Sequence, residues 1–367
     1  MNHYPPYIYE PAKSIEVLEA SEKYLNARPD LKEKIVNLGW CYQSIGKSIP
    51  QTTENWWSGH FFPFIESSEE LQISFNLVMF GLYKQAFMSL RSALEVGMLS
   101  VYYNINDDGH KTVQDWLKSK DTWEANTPRA DSIWKILNSN TNISRFNHKF
   151  NLRGRFDDLS YLHNYVHTKG YKYSNHLGVL KSNYQTFEEA ILLKWLDTYE
   201  KVVIVVITLH MLKYPITSIE FDWGTKVGID NPFPVLESFE IDRIKGTLPI
   251  AYIQEIQNIA LNDYETQELY KHIISMPDIT EAEIEKQIIN LDKSMIENGQ
   301  GFVAWEKQEL QLLDKVSDEG KNKILQRIEV IRKWALENNM MKPKLERLKE
   351  EGFFKNSTTP TSDKGDA

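Results

Sequence analysis

Sulfur ligands are almost absent from this sequence. Its 367 residues include one cysteine, Cys41, in the apolar stretch LGWCYQS. An intrachain disulfide and a cysteine-rich zinc site are therefore excluded, and the composition suits a reducing compartment such as the cytoplasm. Cys41 itself reads as a small buried hydrophobe. Excess positive charge is lacking too. The formal net charge is −9, so any nucleic-acid-binding surface must be a local basic patch. Long apolar runs are missing as well. The most apolar one, VVIVVITLHML over 202–212, is far shorter than the roughly 20 residues that span a bilayer. It reads as a buried helix, and no membrane partner is expected. MNHYPPYIYEPAKS at the start has no basic region followed by an apolar run, so no signal peptide is expected. No GxxxxGK[ST] loop, GxGxxG fingerprint or GxSxG elbow occurs. This argues against the commonest nucleotide-binding and hydrolase folds.

What is present is a helical pattern in a chain of ordinary globular composition, with 41% hydrophobic and 25% charged residues. Residues 13–47 read as two helices separated at Pro29, with Asp30 as N-cap. GKSIPQTTENWWSGHFFPF then breaks the pattern, and its pair Trp56–Trp57 should dock on a neighbouring core. Ser67 with Glu70 three residues on resembles a capping box opening a long helical stretch to about Tyr103, broken or bent near Gly81. Residues 111–140 read as short helices and loops carrying Trp116, Trp123 and Trp134. A helix over 151–168 stops at Gly170, and another over 186–213 stops before Pro215. The order predicts a mainly α protein built on an antiparallel helical bundle. Over 216–250, β-branched and aromatic residues mix with Gly and Pro, which predicts short strands or an extended linker. Charge-rich helices follow over 250–351, one opened by the capping box Thr280–Glu283, and the tail KNSTTPTSDKGDA is expected to be disordered. The layout is an N-terminal helical extension (1–60), a bundle (61–215), the linker (216–250), a C-terminal helical domain (251–355) and the tail (356–367).

Two features carry candidate chemistry. AFMSLRSALEVGMLSVYY, residues 86–103, is apolar nearly all round and should be the central helix. Its only charges, Arg91 and Glu95, lie one turn apart on one face. They form either an internal ion pair tethering helices or one wall of a cleft. LSYLHNYVHTKG, residues 159–170, carries His163 and His167 four apart. On a continuous helix both fall on the flank of the apolar stripe, and His167 lies in the last turn, where the helix C-terminus favours an imidazolium. The spacing is that of a metal pair, but HNYVH lacks the glutamate of HExxH and no cysteine is available, so no metal and no cofactor are assigned. Around these histidines the charge turns locally basic. Arg145, Lys149, Arg153, Arg155, Lys169 and Lys172 alternate with aromatics that include Tyr161, Tyr165, Tyr171 and Tyr173. Phosphate contacts from Arg153, Arg155, Lys169 and Lys172 with stacking on Tyr165 would suit single-stranded RNA. The alternative is a solvated helix face with core aromatics.

LRSALE and YLHNYVHTKG together resemble helical domains of the HEPN type (higher eukaryotes and prokaryotes nucleotide-binding), closest to divergent bacterial branches with a YVH element. The resemblance covers about residues 61–215. It implies a four- to five-helix bundle, often dimeric, and either a metal-independent ribonuclease of toxin–antitoxin, abortive-infection or other antiphage systems or a non-catalytic relative. The family signature, Arg then four to six residues then His on one helix, is not met. Seven residues separate Arg155 from His163 and two separate Arg145 from His148. An equivalent site would have to form across helices, from Arg91 and Glu95 facing His163 or His167. In the non-catalytic alternative the same face binds a protein or nucleotide, with the C-terminal helices as the docking domain for a protein partner.

Overall fold

The computed structural model describes residues 10–50, 52, 55, 58–105, 110–118, 127–175, 185–229 and 231–352. Among them the protein is helical, with no strand, and no helix is long and apolar enough to cross a membrane. The expectations for Trp56–Trp57, Trp123 and the tail lie outside the described residues.

The chain forms two compact units, the first comprising residues 1–223 and 231–276. It opens with α1 (Pro11–Asn26) and α2 (Pro29–Ile45), divided where Pro29 takes the first helical position. Arg28 precedes the first turn of α2, and Asp30 sits inside that turn rather than capping it. α3 (Phe62–Met79) and α4 (Tyr83–Ile105) form a hairpin about Gly81, whose φ of +74° only glycine adopts without strain. Short helices follow: α5 (Lys111–Leu117), α6 (Ala130–Leu137), α7 (Thr141–Phe150), α8 (Leu152–Asp157) and α9 (His163–Val166). α10 (Glu189–Lys213) packs along α4 and against α2.

Two sequence expectations give way here. Ser67 does not start a helix. It is buried in the second turn of α3, where its hydroxyl meets Tyr42 and donates to the Ala93 carbonyl at 2.5 Å. Nor does 216–250 form strands or an extended linker. It holds a 3₁₀ turn (Pro215–Ser218), α11 (Gly224–Val227) and α12 (Ser238–Thr247). The Glu240 carboxylate accepts the Glu237 backbone N–H at 3.1 Å to start α12, and Ile241 and Ile244 are buried in the main core. Packing has overridden β-propensity. α13 (Ile250–Asn262) and α14 (Tyr264–Ser275), which the sequence groups with the C-terminal helices, belong to the first unit, and Ile256 and Ile259 join its core.

The second unit comprises 224–230 and the chain from 277 onward. It contains α15 (Glu281–Asn298), α16 (Gly301–Leu310), α17 (Asp318–Glu337) and α18 (Lys344–Glu350). The Thr280–Glu283 capping box opens α15 as the sequence predicts. Its own small core gathers Ile296, Phe302, Trp305, Ile328, Ile331 and Ala335. Asp292 on α15 accepts the Trp305 indole N–H at 3.2 Å and pairs with Arg327.

α4 is largely enclosed, with no residue in the fully exposed class. Its neighbours come close at Gly97, where an added Cβ would stand 2.8 Å from Tyr42 Oη, 2.9 Å from Ser67 Oγ and 2.9 Å from Val206 Cγ2. Small polar groups link the helices elsewhere. Ser74 donates to the Ala86 carbonyl at 2.7 Å and accepts the Trp195 indole N–H at 2.8 Å. His210 is buried between Ser100 (3.2 Å from Nε2) and the Val206 carbonyl (2.9 Å from Nδ1). Nδ1 therefore carries the proton and Nε2 accepts from the serine.

Two tests follow from this packing. Gly97→Ala gains about 1 kcal/mol of helix propensity but loses roughly 1–3 kcal/mol to overpacking, so urea unfolding should show net destabilisation. An unchanged or raised midpoint would mean that the helices are not in close contact there. Burial holds the His210 imidazole down at about 4. The unfolded chain therefore binds the extra proton between about pH 6.5 and that value, and stability falls by about 3 kcal/mol as pH drops through the window. His210→Leu should lose most of this acid-side slope, and an unaltered slope would contradict the burial.

Candidate functional site

The enclosure of α4 determines where polar side chains on it can go. Gln85, Met88, Arg91, Ser92, Glu95 and Val96 form a half-buried stripe along it, and its other faces are buried as far as Tyr103. Arg91 and Glu95 therefore point the same way. Arg91 Nε donates to Glu95 Oε1 at 2.9 Å, with 22% and 46% of the two side chains exposed. The ion pair is not closed inside the bundle.

The second wall is built differently from the continuous helix that the sequence predicts over 151–168. α8 ends at Asp157, a 3₁₀ turn covers Ser160–Leu162, and α9 is a single turn. A 3₁₀ turn advances about 120° per residue instead of 100°, so three residues shift the phase by about 60°. The change turns Tyr165 inward and His163 and His167 outward. Both imidazoles are exposed, with ring centroids 4.2 Å apart. The Tyr165 ring is 1% exposed and stacks on Phe87 at 5.0 Å. It is a core residue, so the expected base-stacking role for Tyr165 is withdrawn. The long helix expected to end at His167 is also absent, since α9 is a single turn.

α9 packs on α4, and His163 feels Arg91, His167, Glu95 and Lys169. Desolvation, then Arg91, then His167 hold the His163 imidazole below its ordinary value, against a smaller upward pull from Glu95. Arg91, Glu95, His163 and His167 thus lie on one solvent-facing surface, with Lys169 beside them. A neutral imidazole next to a guanidinium can accept a proton where negative charge develops.

The expected RNA contacts divide into two groups. Lys169 and Lys172 are exposed, Lys169 within reach of His163 and Lys172 over the Tyr173 ring. Arg153 and Arg155 face elsewhere. Arg153 bonds Asp131 and Asp157 at 2.9 Å each and lies over the Trp134 ring, and Arg155 lies 6.0 Å from the Tyr252 ring. Arg145 and Lys149 clamp the buried carboxylate of Glu255 at 2.8 and 2.5 Å. Burial would raise that carboxyl, but the two cations outweigh it and hold it below its ordinary range. Much of the basic stretch therefore anchors α7 and α8. The sequence reading missed Lys194, an exposed cation on α10 that lies 5.7 Å from the Phe87 ring centroid. Only the three-dimensional approach of α10 to α4 and α9 marks it. Among the described residues no group of three or more His, Cys, Asp or Glu side chains is arranged to hold a metal ion.

Comparison of the chain with family models, with curated proteins and with solved structures finds no match.

The inward turn of Tyr165 and the outward turn of His163 predict opposite responses. Tyr165→Ala should cost about 3–5 kcal/mol of unfolding free energy. His163→Ala should stay within about 0.5 kcal/mol of the parent. Urea denaturation of the two variants checks this, and a reversed order would mean that α9 is turned the other way.

Proposed function

We propose that this protein is a HEPN-like effector of bacterial defence or stress response, acting in the cytoplasm as a metal-independent ribonuclease. The observation that carries the reading is the convergence of Arg91 and Glu95 from α4 with His163 and His167 from the α9 segment on one exposed face. His163, held toward its neutral form, takes the proton of a ribose 2′-hydroxyl. The freed oxygen attacks the adjacent phosphorus, and the bond from phosphorus to the 5′-oxygen breaks. His167 supplies the proton to that leaving oxygen. The products are a 2′,3′-cyclic phosphate and a 5′-hydroxyl, so atoms and charge balance without a metal. Arg91 stabilises the charge on the phosphorane, and Glu95 orients Arg91. The family resemblance also implies a homodimer. The second unit, with Leu291, Met295, Val303 and Leu336 exposed, is the proposed docking module for a protein partner.

One observation favours a non-catalytic relative instead. Glu95 already occupies Arg91 Nε, and a guanidinium held by its own helix can serve structure alone.

Expression of wild type, Arg91→Ala and His163→Ala, read by growth and total RNA integrity, separates the two. Cleavage should fall about 100-fold or more in each variant while circular dichroism stays unchanged. The acidic limb of the wild-type rate should lie below pH ~6.5, because the His163 shift is downward. Intact RNA and normal growth with wild type under triggering conditions would sink the ribonuclease reading. Equal damage by all three proteins would sink the site assignment.

A further inference from the structure

Lys194 on α10 has an unusual setting. Its Nζ lies 5.7 Å from the Phe87 ring centroid and 5.8 Å from that of Tyr161, and it donates to the Tyr165 hydroxyl at 3.3 Å. No carboxylate among the described residues neutralises it. Asp197, one turn further along α10, is bonded to Lys201 at 2.6 Å. The groups that act on Lys194 are another cation, Lys172, which lowers it, and Tyr173, whose smaller effect is upward. Burial and Lys172 both pull the Lys194 ammonium below its ordinary value. Lys172 in turn lies 5.6 Å from the ring centroid of Tyr173, which packs edge-on against Tyr165 at 5.0 Å.

Two ammonium groups within electrostatic reach, flanked by rings and, among the described residues, by no carboxylate, repel each other. An anion between them removes the repulsion. Beside Lys172 stands Tyr171, 73% exposed, with its ring open to solvent. The patch is built in part on the same elements as the histidine face. Phe87 precedes Arg91 by one turn of α4, about 6 Å of rise, and Tyr165 follows His163 by two residues. Two cations for phosphate and a free aromatic ring for a base are the elements of single-strand recognition.

Resting on the ribonuclease reading of that face, we propose that Lys194 and Lys172 hold a backbone phosphate of the bound strand and that Tyr171 stacks on a neighbouring base, which makes single-stranded RNA the substrate. Lys194 and Lys172 position the strand. They take no part in proton transfer.

The test uses the full chain and a fluorescent 12-nucleotide 2′-O-methyl RNA, whose blocked hydroxyl allows binding but no cutting. Fluorescence anisotropy gives affinity and its salt dependence. Lys194→Gln and Lys172→Gln should each weaken binding several-fold and reduce the salt slope by about one. Tyr171→Ala should weaken it by about fivefold or more. Lys271→Gln, an exposed site on α14, should change nothing. On the unmodified strand, Lys194→Gln should raise KM and spare kcat.

The outcomes separate the two ideas. Lysine-dependent binding without any cutting of the unmodified strand would remove the ribonuclease reading and leave the subsite standing. Cutting with unchanged affinity and KM in both lysine variants would overturn the subsite and leave the ribonuclease reading. Failure of wild type to bind the strand would overturn the subsite. Equal binding of a duplex would remove the stacking role, and equal competition by a polyglutamate peptide would remove the RNA assignment.

Discussion

The close approach at Gly97 is the contact on which the rest of the first unit depends. Without a side chain there, α4 comes within van der Waals distance of Tyr42 on α2, Ser67 on α3 and Val206 on α10. A helix held on three sides has one side left. That side carries Arg91 and Glu95, and α9 and the turn before it are laid beside it. The same enclosure brings Phe87 against Tyr165 and Lys194, so core packing and the candidate site share a boundary. Changes at Gly97 should therefore reach the site through α4 itself.

Helix-to-helix distance this short also explains the buried serines. A serine side chain adds little bulk and satisfies its own hydroxyl on a neighbouring carbonyl or ring N–H. Ser67 and Ser74 do so between α3 and α4, and Ser21 does so from α1 to the Met79 carbonyl at 3.0 Å. Ser100 donates to His210 Nε2, and burial keeps that imidazole neutral in a region where a charged one would be costly.

Much of this was legible in the sequence because it rests on local chemistry. Pro29, Gly81 and the Thr280–Glu283 box mark real helix ends, since each acts through backbone geometry within a few residues. The facing of Arg91 and Glu95 follows from spacing on one uninterrupted helix. The histidine wall was legible only in part. Its composition is local, but its orientation depends on the 3₁₀ turn at Ser160–Leu162, which shifts the helical phase and exchanges Tyr165 with His163. Ser67 carries a cap signature and instead serves a buried contact with α4. Residues 238–247 show strand-like composition and fold as a helix because the core accepts their apolar face. Lys194 carries no local signal, because its surroundings come from α4 and α9.

The central claim is that an imidazole beside a guanidinium, on the exposed stripe of an otherwise sealed helix, transfers a phosphoryl group by way of the ribose hydroxyl. The chemistry of the cut ends tests it most directly. Purified protein is incubated with an end-labelled RNA in the presence of a chelator, and the termini are analysed by mass. The account predicts a 2′,3′-cyclic phosphate on one fragment and a 5′-hydroxyl on the other, with no cut where the ribose is 2′-deoxy. A 5′-phosphate terminus, or cleavage at the deoxy position, would contradict it.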